Sequence, residues 1–205
     1  MEYSEPDTLQ TILQTAKQEF LEKGFRDASL RRIVKTAGVT TGALYGYFKS
    51  KEELFSALVK ESADRCMLVF QNAQTAFSEL QPKEQMQQMG VGSQDCLSWM
   101  VDYIYEHFDT FKLLICCSEG TAYEQFIDRM VEIETVYTHR FLRVLEQEGH
   151  SCRRIDPQLE HILISGMFSA FFEIVRHDMS KQESIQFVEE LQEFYTAGWT
   201  RIMGL

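Results

Sequence analysis

Between residues 26 and 51 the chain gathers the side chains that meet a polyanion. Six cations, Arg26, Arg31, Arg32, Lys35, Lys49 and Lys51, stand against one anion, Asp27, with Ser29, Thr40, Thr41, Tyr45 and Tyr47 interspersed. Guanidinium and ammonium groups neutralise phosphates, threonine hydroxyls reach base edges, and tyrosine hydroxyls reach backbone phosphates. The local charge of +5 sits in a 205-residue chain of net charge −11, so the remainder carries −16. A uniformly acidic chain is repelled by DNA, whereas this asymmetry turns one end toward a duplex and keeps the rest away.

Those side chains need elements to position them, and the same stretch spells the elements out. Ser29 is a good N-cap, and Leu30, Ile33, Val34 and Ala37 recur at the spacing of one buried helical face, which predicts a helix over 30–37. Gly38 suits the left-handed residue that ends a helix, and Val39 can tuck an apolar side chain under the corner. Thr40 can cap a second helix over 41–48, with Leu44 and Phe48 inward and Thr41, Gly42, Tyr45 and Gly46 outward. Two glycines inside one short helix cost about 1 kcal/mol each relative to alanine, and a bare helix face lets the backbone sink into a major groove. The plainer alternative is that Gly42 and Gly46 merely allow close packing of another helix. Ser50 and Glu53 form a capping-box pattern for a third helix. Lys51 is out of place in its first turn, which points to an external anion such as a phosphate, or to a pairing with Asp27 or a glutamate.

The run from Ala37 to Leu54, A-G-V-T-T-G-A-L-Y-G-Y-F-K-S-K-E-E-L, closely resembles the signature of the tetracycline-repressor-like (TetR) transcription factors, commonly A-G-V-S-x-G-x-L-Y-x-Y-F-x-x-K-E-x-L. The resemblance covers the head alone, including a preceding helix whose Leu9, Ile12, Leu13, Ala16 and Phe20 form a stripe, then Gly24 and Phe25. It implies a helix-turn-helix at about 29–48. Thr40, Thr41, Gly42 and Ala43 match the start of the recognition helix, Tyr45 and Tyr47 its backbone-contacting aromatics, and Lys51 its phosphate-binding lysine. Ser29 matches a capping position near the DNA backbone, and Lys49 joins the phosphate-facing cations. Gly46 stands where many relatives place histidine, so Thr41, Ala43 and groove shape carry more of the readout.

The rest of the chain reads as helix throughout. Only three prolines occur, and apolar periodicity predicts helices over 51–77, a short one from 82, 93–107 with a continuation through 111 to 117, 121–147, 157–177 and 181–203. The expected fold is all-α, with about nine helices. A three-helix DNA-binding domain over 5–65 precedes a helical ligand-binding and dimerisation domain over 66–205.

Small and apolar residues on the last two helices, Leu159, Ile162, Gly166, Ala170, Leu191, Tyr195 and Trp199, are expected to pair with their copies in a four-helix bundle, as the resemblance implies. An effector cavity is expected among Trp99, Tyr103, Phe108, Phe111, Cys116, Tyr123, Phe126, Met130, Phe168 and Phe172, with Asp102 and Glu106 as carboxylates for a cationic ligand.

The resemblance thus implies a cytoplasmic homodimeric regulator, a repressor that holds a near-palindromic double-stranded operator and releases it when a small apolar or aromatic effector binds. The alternatives are a helical protein-interaction module and an activator without small-molecule control. Neither enzyme nor cofactor nor metal is expected: no histidine has glutamate three residues before it, and no phosphate loop or nucleophile elbow occurs. Cys66, Cys96, Cys116, Cys117 and Cys152 form no CxxC pair. No apolar run reaches the length of a membrane span, and no secretory signal precedes the head.

Overall fold

A computed structural model of the chain describes residues 5–89, 91–150, 152 and 155–205. The other positions, among them Gly90, Ser151, Arg153 and Arg154 of the expected second domain, lie outside the described residues. Among the described residues the fold is all helix, in eleven segments: α1 Glu5–Asp27, α2 Leu30–Ala37, α3 Thr41–Tyr47, α4 Lys51–Glu79, α5 Pro82–Gln88, α6 Val91–Glu106, α7 Phe108–Cys116, α8 Phe126–Gln147, α9 Pro157–Phe171, α10 Glu173–Arg176 and α11 Lys181–Met203. They form two compact units. The first comprises the chain up to Asp64 together with His107–Glu124, and the second Arg65–Glu106 with Gln125–Leu205.

In the first unit α1, α2, α3 and the start of α4 close around one core, with Ile12, Ala16, Phe20, Ile33, Leu44, Leu54 and Phe55 almost fully buried. Phe55 meets Phe20 and Phe25 edge-on, ring centroids 5.1 and 5.4 Å apart, a favoured arrangement of aromatic quadrupoles. Gly24 takes φ 71, ψ 167, which breaks α1 and swings Phe25 inward.

Residues 107–124 were expected in the second domain, but they pack here. Leu113 and Cys117 enter the same core, and Phe25 N donates to Cys117 O at 2.9 Å. Ion pairs Lys17–Asp109 (2.7 Å) and Arg26–Glu119 (2.6 Å) and a hydroxyl pair between Ser56 and Tyr123 (2.8 Å) hold the segment along its length. A nine-residue helix buries too little to declare its partner by periodicity, so its contacts are decided in three dimensions.

In the second unit α8 packs on α9, and α6 on α11. Tyr105 ties α6 to the start of α11, donating to Met179 O at 2.6 Å and sharing a 2.6 Å hydroxyl contact with Ser184. Asp156 caps α9, accepting from Gln158 N and Leu159 N, and Ser180 with Glu183 forms a capping box for α11. The helix expected over 157–177 breaks at Phe172 (ψ 0), which lets Phe171 and Phe172 both turn into the core. The helix expected from 121 starts at Phe126, because Thr121 Oγ1 bonds Ser118 O and Tyr123 N and holds a turn instead. The segment Pro157–Arg176 is long and apolar enough to cross a membrane by composition, contrary to the sequence-based expectation. Its Ile164, Phe168, Phe171 and Phe172 are spent inside the protein core.

Candidate nucleic-acid interface and effector cavity

The turn between α2 and α3 is built as its residues dictate. Ser29 Oγ accepts from Arg32 N at 3.4 Å, and Glu19, buried on α1, receives Ser29 N–H at 3.0 Å and Arg32 Nε at 2.6 Å. Burial opposes ionisation of Glu19, but these two donors outweigh it and hold its carboxyl below the usual range. Gly38 adopts φ 67, ψ 24, and Val39 N reaches back to Val34 O at 3.2 Å, the six-to-one bond of a left-handed helix end. Thr40 Oγ1 then accepts from Ala43 N at 3.1 Å and starts α3.

The outer face of α3 is open. A methyl built on Gly46 would meet nothing within 4 Å, and one on Gly42 only Thr40 Oγ1 at 3.8 Å. Among the described residues no other part of the first unit packs on these glycines, so close approach of another described helix does not explain them. Thr40, Thr41, Gly42, Tyr45 and Gly46 are exposed, Tyr45 by 51%, while Ala43 and Tyr47 are half-buried. Tyr47 leans against the core, stacked obliquely near Phe48.

Lys51 departs from the expectation. Its ammonium donates to Arg26 O at 3.0 Å and Ala28 O at 3.2 Å and lies 4.6 Å from the Phe25 ring centroid. Two of its three N–H groups thus satisfy carbonyls at the end of α1, and neither Asp27 nor a glutamate takes it. The other cations divide as well. Arg26 pairs with Glu119, and Arg32 with Glu19 and Glu22. Among the described residues Arg31, Lys35 and Lys49 are exposed and make no ion pair. Lys49 is fixed through its backbone, its N–H donating to Glu53 Oε2 at 2.6 Å while Ser50 Oγ accepts from Glu53 N.

A cavity of about 160 Å³ lies inside the second unit. Its wall comes from Phe70, Gln74 and Phe77 of α4, Cys96 and Leu97 of α6, Glu134, Tyr137 and Phe141 of α8, Met167 and Phe168 of α9, and Leu191, Tyr195 and Trp199 of α11. Of the residues expected to line it, Phe168 alone does. Tyr123 packs against the first unit's core, Phe108, the buried Phe111 and the exposed Cys116 lie on the same segment, and Phe126, Met130 and Phe172 are buried. Trp99 and Tyr103 stack on each other at 4.9 Å, with Arg65 over the indole. Asp102, expected near a cationic ligand, is an exposed partner of Lys181 at 2.7 Å, and Glu106 is exposed. The carboxylate that does face the cavity is Glu134, whose Oε2 accepts from Gln74 Nε2. Burial pushes it up to about 7, against the opposing pull of Gln74. Burial also raises the thiol of Cys96 to about 11 and that of Cys117 to about 11, far from reactive thiolates.

The residues expected to join two copies fall into two groups. Leu159 and Ile162 on α9 are exposed, Ile162 by 63%, together with Ile185 and Phe194 on α11. Leu191, Tyr195 and Trp199 instead face the cavity, and Gly166 stands against Tyr195, whose hydroxyl would lie 3.0 Å from an added methyl. Ala170 is half-buried on α9.

Residues 12–58 match the family model for bacterial regulatory proteins of the tetR family. The HTH-type transcriptional repressor AcnR of Corynebacterium diphtheriae is 43% identical over 56 residues, 27% of this chain and 30% of that protein. The HTH-type transcriptional regulator UidR of Escherichia coli K12 is 37% identical over 59 residues, 29% and 30% of the two chains. The chain thus spans 30% of the length of the curated relatives it matches, all of it in the head. Over the whole length the likeness is one of fold. A member of the TetR transcriptional regulator family from Streptomyces coelicolor A3 superposes with TM-score 0.56 at 18% identity, covering 91% of this chain and 90% of that one. The transcriptional regulator FadR from Bacillus subtilis, in complex with stearoyl-CoA, does so with TM-score 0.51 at 17% identity, covering 92% and 98%.

Proposed function

We propose that this chain, which carries a TetR-family head on an all-α body of the TetR-regulator fold, is a ligand-responsive, cytoplasmic, DNA-binding transcriptional repressor. The observation that carries the reading is the open face of α3. Gly42 and Gly46 cost helix stability and serve no packing among the described residues, so the face they clear is kept for an outside surface. Thr41 and Tyr45 add exposed hydroxyls to α3, and Arg31, Lys35 and Lys49 are exposed cations of the same head. A helix so bared fits a major groove.

Two such helices, set about 34 to 36 Å apart by dimerisation, enter successive grooves of a near-palindromic operator. Exposed Leu159, Ile162, Ile185 and Phe194 on α9 and α11 supply the apolar surface for a second copy. The cavity holds the effector. α4 starts at Lys51 in the head and lines the cavity with Phe70, Gln74 and Phe77, so a ligand that favours one placement of α4 shifts the population of head separations and lowers operator affinity. The work is binding and release, without catalysis or cofactor.

The test is a gel shift on fragments recovered by genomic binding-site selection. Two heads offer about six phosphate contacts through Arg31, Lys35 and Lys49, so affinity is expected to fall about 10³-fold between 50 and 200 mM salt. Replacing Thr41 and Tyr45 together by alanine is expected to abolish selection. An unchanged grip after that replacement, or binding indifferent to salt, overturns the reading.

A further inference from the structure

Among the described residues every side chain in the cavity wall is neutral except Glu134, and no lysine, arginine or histidine lines it. Glu134 is half-buried, and carboxylates drawn out of water are ordinarily paired with a cation or neutralised by a proton. Here the protein supplies one neutral donor, the Gln74 amide, to Oε2. The rings are placed around that carboxylate by helix geometry. Tyr137 and Phe141 follow Glu134 at one and two turns along α8, and Phe70 and Phe77 flank Gln74 on α4. Ring faces attract cations through their quadrupole and shield them from water. A half-buried carboxylate with no counter-charge among the described residues, in a cavity wall that also carries aromatic rings, is a receptor for a positive charge brought from outside.

Size narrows the class further. An apolar cavity of about 150 Å³ holds benzene, and this one is about 160 Å³. We propose that the cavity takes a small organic cation, an amine of about one ring, with its ammonium against Glu134 and its ring among Phe70, Phe77, Tyr137 and Phe141. The proposal rests on the cavity being the effector site and names the chemical class of that effector.

The groups facing Glu134 leave it as the one that titrates near neutrality. On α4 it meets Gln74. Cys96 on α6 is held to about 11 by burial, and burial also raises the Tyr195 hydroxyl of α11 above its ordinary value. Tyr137 is the phenol on its own helix, and no cation faces it from α9. An ammonium ligand therefore gains its partner as pH rises through about 7.

The experiment is isothermal calorimetry on the full chain with 2-phenylethylamine, protonated at pH 8, and 2-phenylethanol, its neutral counterpart of the same skeleton. The amine is expected to bind at least about tenfold tighter than the alcohol, as a charge-assisted bond exceeds a neutral one. Glu134→Gln is expected to erase that preference while leaving the alcohol unaffected. At pH 6, where most of Glu134 holds a proton, amine binding is expected to weaken about tenfold. Binding of neither probe, equal affinity for both, or a preference that survives Glu134→Gln overturns the proposal. Operator binding by the unliganded protein is read separately by gel shift. Its loss overturns the regulator reading with the cation result intact, and a failed calorimetric preference overturns only the cation site.

Discussion

Glu134 leaves a thermodynamic trace even without a ligand. In the unfolded chain its carboxyl titrates near 4.5, and in the native cavity at about 7. Between those values the native state holds a proton that the unfolded state has released, so stability falls as pH rises through the window and levels off above it. At roughly 1.4 kcal/mol per tenfold change in acidity, the native penalty relative to pH 5 amounts to about 2 to 3 kcal/mol by pH 8. Glutamine keeps the shape and an acceptor for Gln74 but carries no charge at any pH. For a chain of this size 1 kcal/mol moves the melting temperature by about 2 to 4 °C, so the gap between Glu134→Gln and the parent is expected to widen by about 5 to 10 °C from pH 5 to pH 8. Differential scanning calorimetry at the two pH values measures this directly. Titrations elsewhere in the chain are common to both proteins and cancel in the comparison. A gap that stays constant between pH 5 and pH 8 would refute the raised carboxylate without a cation partner, and a gap that shrinks would reverse its sign.

Two glycines of the head separate strain from openness. Gly38 has φ 67, so Gly38→Ala is expected to destabilise the head by about 1 to 2 kcal/mol. Gly46 has open space around it, so Gly46→Ala is expected to raise stability by up to about 1 kcal/mol while weakening operator binding in a gel shift, because the methyl occupies the face left for the groove. For assembly, Ile162→Glu combined with Phe194→Glu places charge on side chains 63% and 73% exposed. Circular dichroism is expected to stay unchanged while sedimentation shifts from dimer to monomer, and a persisting dimer would move the interface elsewhere.

The head could be read from its residues because its signals are local. Ser29, Gly38 and Thr40 each act within four positions, through a cap bond or one left-handed residue, and α2 spans Leu30–Ala37 as the periodicity predicts. Gly42 and Gly46 stand bare, with nothing closer than Thr40 Oγ1 at 3.8 Å to a methyl built on either among the described residues. Lys51 shows the limit of such reasoning. A misplaced cation signals an anion or dipole partner, and the partner is a pair of carbonyls more than twenty residues upstream, which no local pattern specifies.

The cavity was illegible for a different reason. Leu191, Tyr195 and Trp199 form an apolar stripe on α11, and Ile185 and Phe194 add apolar surface that stays exposed. A helix apolar on more than one side announces two partners without saying which side meets which, so the stripe expected to join two copies is cavity wall instead. Glu134 is harder still. With Glu132 two residues earlier, it reads as a solvated helix face, and nothing in α8 marks one carboxylate as the one that lines the cavity. What distinguishes it is Gln74, sixty residues away on α4, meeting it across the unit. A functional charge inside a helical bundle is defined by the helix opposite, and it becomes visible only when both helices are in place.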